Sequence, residues 1–511
     1  MKTEVKFAIF VYVLVFFIAV LPVVFMFKDA FLNIFGDAFS LVEFFSTKSV
    51  LLGLKNSLFL SITVATITTV LGTVFGVLFT KTDFYLSRLF VFLLVIPLLL
   101  PPYIIALGWI DVIGVNGVFS QFLFGFGGSA FILSSIYLPI PLLFSIFFLK
   151  QINPNLENVA LLSSSFFSVF KHITIPLITP AILLSFSIVF ILTFGEYSVA
   201  NTLRFYVFPL EVFTLFSAFY DFNGAVVMTL PMLVVSFFIL FLINRSSKKI
   251  SYRHTNNINV ITLTKREQIF FSIVGFIFIS FSVILPLVSM FITIESFEKF
   301  YIALLKAYEP LKRSFIFAFF SSLLLSFMGI LSGYIIVSKV RFYKFLDLSI
   351  MFLFILPSAI LAIALVLFWN GKYVDFVYTS PLIIIFGYFS KYLLFSTKIV
   401  ENKILQLEKN IIDAGKIFGA NWFEVLVYII IPSSKNMFFT IFMISFIFSM
   451  KESTITSLVY PAGYDTLPIY ILTQMANSQP EVIASLCVIL MLSILIPFSV
   501  LIYKKGSYDK V

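Results

Sequence analysis

Two carboxylates, Glu196 and Glu452, stand at the ends of apolar runs, the second directly after Lys451. An acidic side chain set against lipid costs roughly 2.5 to 3.5 kcal/mol at the bilayer centre on insertion scales, so such residues face a bundle interior or water. Two like charges across an axis repel, and a passing cation would relieve that repulsion. With no His or Tyr to close it, the pair suits transient contact with a cation and forms no stable metal site. The plainer reading places both at a membrane interface, with Lys451 neutralising its neighbour.

Other chemistries lack their residues. The one cysteine, Cys487, permits no disulfide within the chain and no thiolate cluster. His172 and His254 fall in polar loops, where solvation is expected. A phosphate-cradling loop needs G-x-x-x-x-G-K-[ST], yet Gly371-Lys372 and Gly415-Lys416 are followed by Tyr373 and Ile417. The chain is therefore expected to bind no cofactor and to hold no catalytic residue. Any energy from ATP-Mg must come through another polypeptide.

A third constellation is mechanical. Asp413-Ala414-Gly415, then Gly419, then an apolar run to Pro432 reads as a helix stopped by a glycine in the left-handed C′ position and followed by a second short helix. Asn421 with Glu424 forms a capping box for that second helix. Two helices joined at a Gly turn make a knob that a partner's groove can move as a rigid body.

The elements that must hold these residues are membrane spans. Of 511 residues 61% are apolar and 11% charged, against about 25% charged in soluble domains, which excludes a soluble enzyme. The net charge of +10 is scattered between apolar runs and forms no basic face for a nucleic acid. Runs near 6–27, 57–80, 86–109, 130–149, 177–199, 224–243, 268–292, 314–338, 346–369, 380–398, 436–458 and 482–503 are each long enough to cross a bilayer, which takes about 20 residues. The predicted class is an all-α integral membrane protein with twelve transmembrane helices. The first run has no small-residue cleavage site after it and is expected to be retained. Placing both termini in the cytoplasm puts 23 of the 34 Lys and Arg on that side, as the positive-inside rule requires.

The chain also repeats. A shift of half its length aligns Phe167 with Phe423, Ile175 with Ile431, Pro176 with Pro432 and Glu196 with Glu452. With small drifts, Asn56-Ser57 meets Arg313-Ser314, Gly76 meets Gly333, and Trp109 meets Trp369. This predicts two tandem six-helix repeats, 1–243 and 268–511, joined by a polar cytoplasmic linker, 244–267, and related by an axis along the membrane normal.

The loop at Asp413, Ala414, Gly415, Gly419 and Pro432 resembles the EAA loop of ABC-importer permeases, the segment that docks on the ATP-binding subunit. A degenerate copy lies in the first half at Glu157, Ser163 and Pro176, where Asn158 and Val159 replace both alanines and Ser163 the glycine, so unequal engagement is expected. Ile96 to Trp109, Lys451-Glu452-Ser453-Thr454 and Pro461-Ala462-Gly463-Tyr464-Asp465-Thr466-Leu467 are similar to stretches of the fused permeases of iron(III) importers. The resemblance implies a binding-protein-dependent permease of the cell membrane. Its partners would be two copies of an ABC ATPase below, an extracytoplasmic solute-binding protein above, and the lipid bilayer around it. Thiamine and phosphonate permeases share the layout. A self-contained secondary transporter would need ion-coupling groups in mid-span, where carboxylates are nearly absent.

Overall fold

The computed structural model describes residues 2–36, 47–114, 117–247, 261–406, 413–415, 417–433 and 435–508. Most of the predicted linker and residues 407–412 of the second loop lie outside them. Among the described residues the protein is all-helical, with one isolated bridge between Thr82 and Ile261. Nine helices among the described residues are long and apolar enough to cross a membrane, and up to 11 spans result if each of two bent pairs counts as one.

Each of the twelve expected runs has a helical counterpart, but three differ from straight spans. The runs 86–109 and 346–369 are the bent pairs, Ser87–Leu99 with Pro102–Ile113 at 102° and Tyr343–Ile355 with Ser358–Trp369 at 109°. Proline explains both breaks: Leu100 precedes Pro101 and Leu356 precedes Pro357. Both leucines are pushed to extended ψ, 153° and 131°, because the proline ring clashes with a helical predecessor. The run 436–458 is a 17-residue helix, Lys435–Lys451. At about 1.5 Å per residue it reaches roughly 25 Å, less than the hydrocarbon thickness of about 30 Å.

Proline also shapes four helices that do not break. Each of the segments Phe16–Val20, Phe170–Thr174, Ser280–Ile284 and Val425–Ile430 is a π-turn, and each is followed within two residues by a proline: Pro22, Pro176, Pro286 and Pro432. A proline removes one ladder donor and crowds the carbonyl four residues earlier. Widening to i→i−5 bonds relieves the crowding, as when Ile175 N–H donates to Phe170 O and Ile431 N–H to Leu426 O.

Two compact units form, one from Met1–Leu41, Val212–Met232 and Ser296–Val511, the other from Val42–Glu211 and Leu233–Glu295. In the first, the N-terminal helix is held by Tyr12, whose hydroxyl donates to Arg341 O at 2.7 Å, and by Phe17, edge-on to Trp369 at 5.3 Å. In the second, Gln268 Nε2 reaches Asp83 O and Oδ1 at 3.2 and 3.1 Å, and Phe281 stacks on Trp109 at 6.3 Å. Close helix crossings use glycines four apart. A β-carbon at Gly76 would lie 2.5 Å from Ser145 Cβ, and one at Gly333 would lie 2.7 Å from Val400 Cβ, so only hydrogen fits there. These packing units interleave along the chain, and a sequence repeat is a different division that need not coincide with them.

Candidate functional site

The first loop is built on helix Pro154–Leu161, whose cap Asn153 accepts from Asn155 N–H at 3.0 Å and whose Pro154 suits the first helical position. One turn in, Glu157 is 5% exposed. Its carboxylate takes Lys81 Nζ at 2.6 Å and Thr174 Oγ1 at 2.8 Å. Glu157 thus ties the loop inward, to the end of helix Lys48–Lys81 and to the start of the next span. The outward side of this helix mixes exposed Leu156 and Val159 with exposed Asn155 and Asn158, and Leu162 is exposed just beyond its end. Ser163 keeps a negative φ, and its N–H closes an ordinary turn on Ala160 O at 3.2 Å.

The second loop is capped differently. Gly419 has φ +88°, Phe418 N–H donates to Ala414 O at 3.0 Å and Ala420 N–H to Gly415 O at 3.0 Å. The 6→1 bond across a left-handed residue is the Schellman arrangement. Asn421 then opens the next helix: its N–H donates to Glu424 Oε2 at 2.7 Å, and its Oδ1 accepts from Glu424 N–H at 2.9 Å, the reciprocal capping box. Between the two helices lies an open depression of ≈ 370 Å³, lined by Gly415, Phe418, Gly419, Ala420, Glu424, Tyr428 and Ile429. Asp413 and Ala414 are exposed beside it, as are Ile417, Phe418 and Tyr428. The repeat offset places Ser338 where the first half has Lys81, and Ile430 where it has Thr174. Ser338 and Ile430 cannot supply the ammonium and hydroxyl that tie Glu157 inward.

Glu196 and Glu452 occupy the same local position, directly after a long helix and before a short one. Both are buried, 7% and 8% exposed. Glu196 accepts from Ser198 N–H at 2.7 Å and Val199 N–H at 3.2 Å, and from the Ser198 hydroxyl. Glu452 accepts from Ile455 N–H at 2.9 Å and from the Tyr392 hydroxyl, so against expectation a tyrosine, 60 positions away in the sequence, does close one of the two carboxylates. Each carboxylate caps the helix that follows, Ser198–Thr202 and Thr454–Val459, satisfying donors that burial would otherwise orphan. Lys451 lies with its ammonium 4.7 Å from the Phe448 ring.

Sequence reasoning passed over Lys391, whose signal was a lone basic residue inside an apolar span. It is buried, and its ammonium donates to Phe354 O at 3.0 Å and Leu356 O at 2.7 Å. These are carbonyls at the 109° break, freed when Pro357 ends the helix. The run 126–149, aligned with this span, has no charged residue, so the first half lacks this brace.

At the far end of helix Lys48–Lys81, some 24 residues or roughly 36 Å from Lys81, Ser57 Oγ accepts Phe208 N–H at 2.8 Å and Asn56 Nδ2 donates to Tyr206 O at 2.8 Å. The arrangement recurs in helix Phe297–Val337: Ser314 Oγ accepts Leu467 N–H at 2.7 Å, Arg313 donates to Gly463 O, and it pairs with Asp465 at 2.8 Å. The Tyr206 hydroxyl donates to Glu211 at 2.5 Å; burial first, then the Glu211 charge, pushes its pKa well above the usual phenol range.

Residues 316–505 match the family described as binding-protein-dependent transport system inner membrane component. That stretch contains the second loop, Glu452 and Lys391. Over those residues the chain is similar to an inner-membrane permease component. Similarity to curated permeases extends beyond it. The putative ferric transport system permease protein FbpB 1 of Haemophilus influenzae is 24% identical over 503 residues, covering 89% of this chain and 77% of that protein. The ferric transport system permease protein FbpB of Actinobacillus pleuropneumoniae is 23% identical over 536 residues, covering 95% and 76%. With its long apolar helices the protein is a multi-pass membrane protein, similar over most of its length to permease subunits of ferric transport systems.

Proposed function

We propose that this chain is the permease subunit of an ATP-driven importer of iron(III), built as two tandem six-helix repeats with both termini in the cytoplasm. The second loop carries the reading: a rigidly capped pair of helices with exposed Ile417, Phe418 and Tyr428 around an open depression fits a partner's groove. The cargo is argued from the ferric permeases to which the chain is similar. Two ATPase subunits, holding ATP-Mg, dock on the two loops, and a solute-binding protein delivers the ion from the other side. Closure of the ATPase pair moves the loops and switches the spans between two packings, as rigid-body transitions do. The second loop engages more strongly than the first. Glu196 and Glu452 screen the cation in transit.

The test is reconstitution of the chain in vesicles with an ABC ATPase and a solute-binding protein of the same organism. Iron(III) uptake that needs all three proteins and ATP supports the reading. Uptake without the ATPase favours a secondary transporter, and uptake of thiamine or a phosphonate in place of iron rejects the cargo.

A further inference from the structure

Trp422 opens the second helix of the second loop, and two rings from distant parts of the chain lie against it. Tyr334 stacks on its indole with centroids 4.4 Å apart and planes at 25°, and the Tyr334 hydroxyl donates to Trp422 O at 3.1 Å. Phe7, in the N-terminal helix, meets the same indole at 5.6 Å and 56° and meets Phe423 edge-on at 6.0 Å. Five residues further along, Tyr12 fastens the N-terminal helix to Arg341 O. The helix therefore has two attachments at the loop's end of the unit, one aromatic and one polar, and two attachments fix rotation as well as position.

We infer that the N-terminal helix is a strut for the second coupling loop, with Phe7 as a positioning residue that acts through Trp422. A loop hanging only from the glycine at 419 would swing there when pushed, since that backbone is the least restricted point of the segment. Tilted and edge-on ring contacts have preferred geometry, so a displacement of Trp422 is passed to the helix that carries Phe7. The strut rests on the docking role proposed above for the loop.

The experiment uses the complete reconstituted complex and reads ions transported per ATP hydrolysed. Phe7→Ala should keep the ATPase bound and basal hydrolysis intact while lowering that ratio several-fold, and Phe7→Tyr, which keeps the ring, should restore it. An unchanged ratio in Phe7→Ala overturns the strut. Should that variant fail to accumulate, cysteines at 7 and 423 in a Cys487→Ser background are bridged with a short bifunctional thiol reagent. Phe7→Cys lacks the ring and should show the lowered ratio, and because a strut moves with its loop, bridging it to Phe423→Cys should raise that ratio; no rise overturns the strut. Loss of transport on bridging, with each single cysteine unaffected by the reagent, overturns the strut as well. Gly419→Val reports on the docking role separately: full ATPase capture and transport in that variant would reject the docking reading whatever the Phe7 result.

Discussion

The ammonium of Lys81 and the carboxylate of Glu157 meet at 2.6 Å with side chains only 4% and 6% exposed. Breaking a buried ion pair from one side costs about 3–5 kcal/mol, whereas replacing both partners by apolar residues is often neutral. Lys81→Met and Glu157→Met should each lower the thermal unfolding temperature of the solubilised protein, and the double variant should recover most of the loss. A double variant as unstable as the two losses added together would show that the residues do not act as a unit.

Gly419 sits at φ +88°, where a side-chain-bearing residue pays roughly 1–2 kcal/mol and a β-branched one is a true outlier. Gly419→Val should weaken co-purification of the ATPase more than Ser163→Val, because Ser163 has no left-handed backbone to strain. Equal loss from both changes would remove the asymmetry between the loops.

Ser57→Ala leaves the buried Phe208 N–H without its acceptor, and Ser314→Ala does the same to Leu467 N–H. Each orphaned donor costs about 1–3 kcal/mol. Hydrogen exchange at residues 206–210 should speed up in the first variant and at 465–469 in the second. Protection unchanged in both would mean that the serines do not pin these loops.

Replacing Glu196 and Glu452 together by Gln retains an oxygen that can accept from the capped N–H groups while removing the charge. Assembly and basal ATP hydrolysis should survive, and iron(III) uptake should fall. Full uptake would reject the proposed cation contact and leave both residues as helix caps alone.

A single cysteine at position 251, in a Cys487→Ser background, should escape an impermeant thiol reagent in intact cells, because six Lys and Arg between 245 and 266 hold that segment on the cytoplasmic side. Labelling there would reverse the proposed orientation.

Local features were legible because their causes are local. Gly419 as a left-handed stop and Asn421 with Glu424 as a capping box depend on residues a few positions apart, and both stand as read. The alignment of Asn56-Ser57 with Arg313-Ser314 likewise marked two positions that make matching bonds. Three things were not legible. Runs containing Pro101 and Pro357 read as straight spans because hydropathy is blind to a change of direction. The pairing of Glu157 with Lys81 joins residues 76 positions apart, and no periodicity reports such a meeting. Lys391 looked like an isolated charge because its partners are backbone carbonyls, which carry no sequence signature.

The interleaving of the two packing units sets an order of events during synthesis. The first helix emerges from the ribosome before any of Ser296–Val511, with which it forms its compact unit. At roughly 5–20 residues per second, it waits on the order of tens of seconds for its neighbours. Residues 42–211 likewise wait for 233–295. Throughout that interval lipid must stand in for the missing helices. A premature stop anywhere in the second half would therefore strand the beginning of the chain as well as truncate its end.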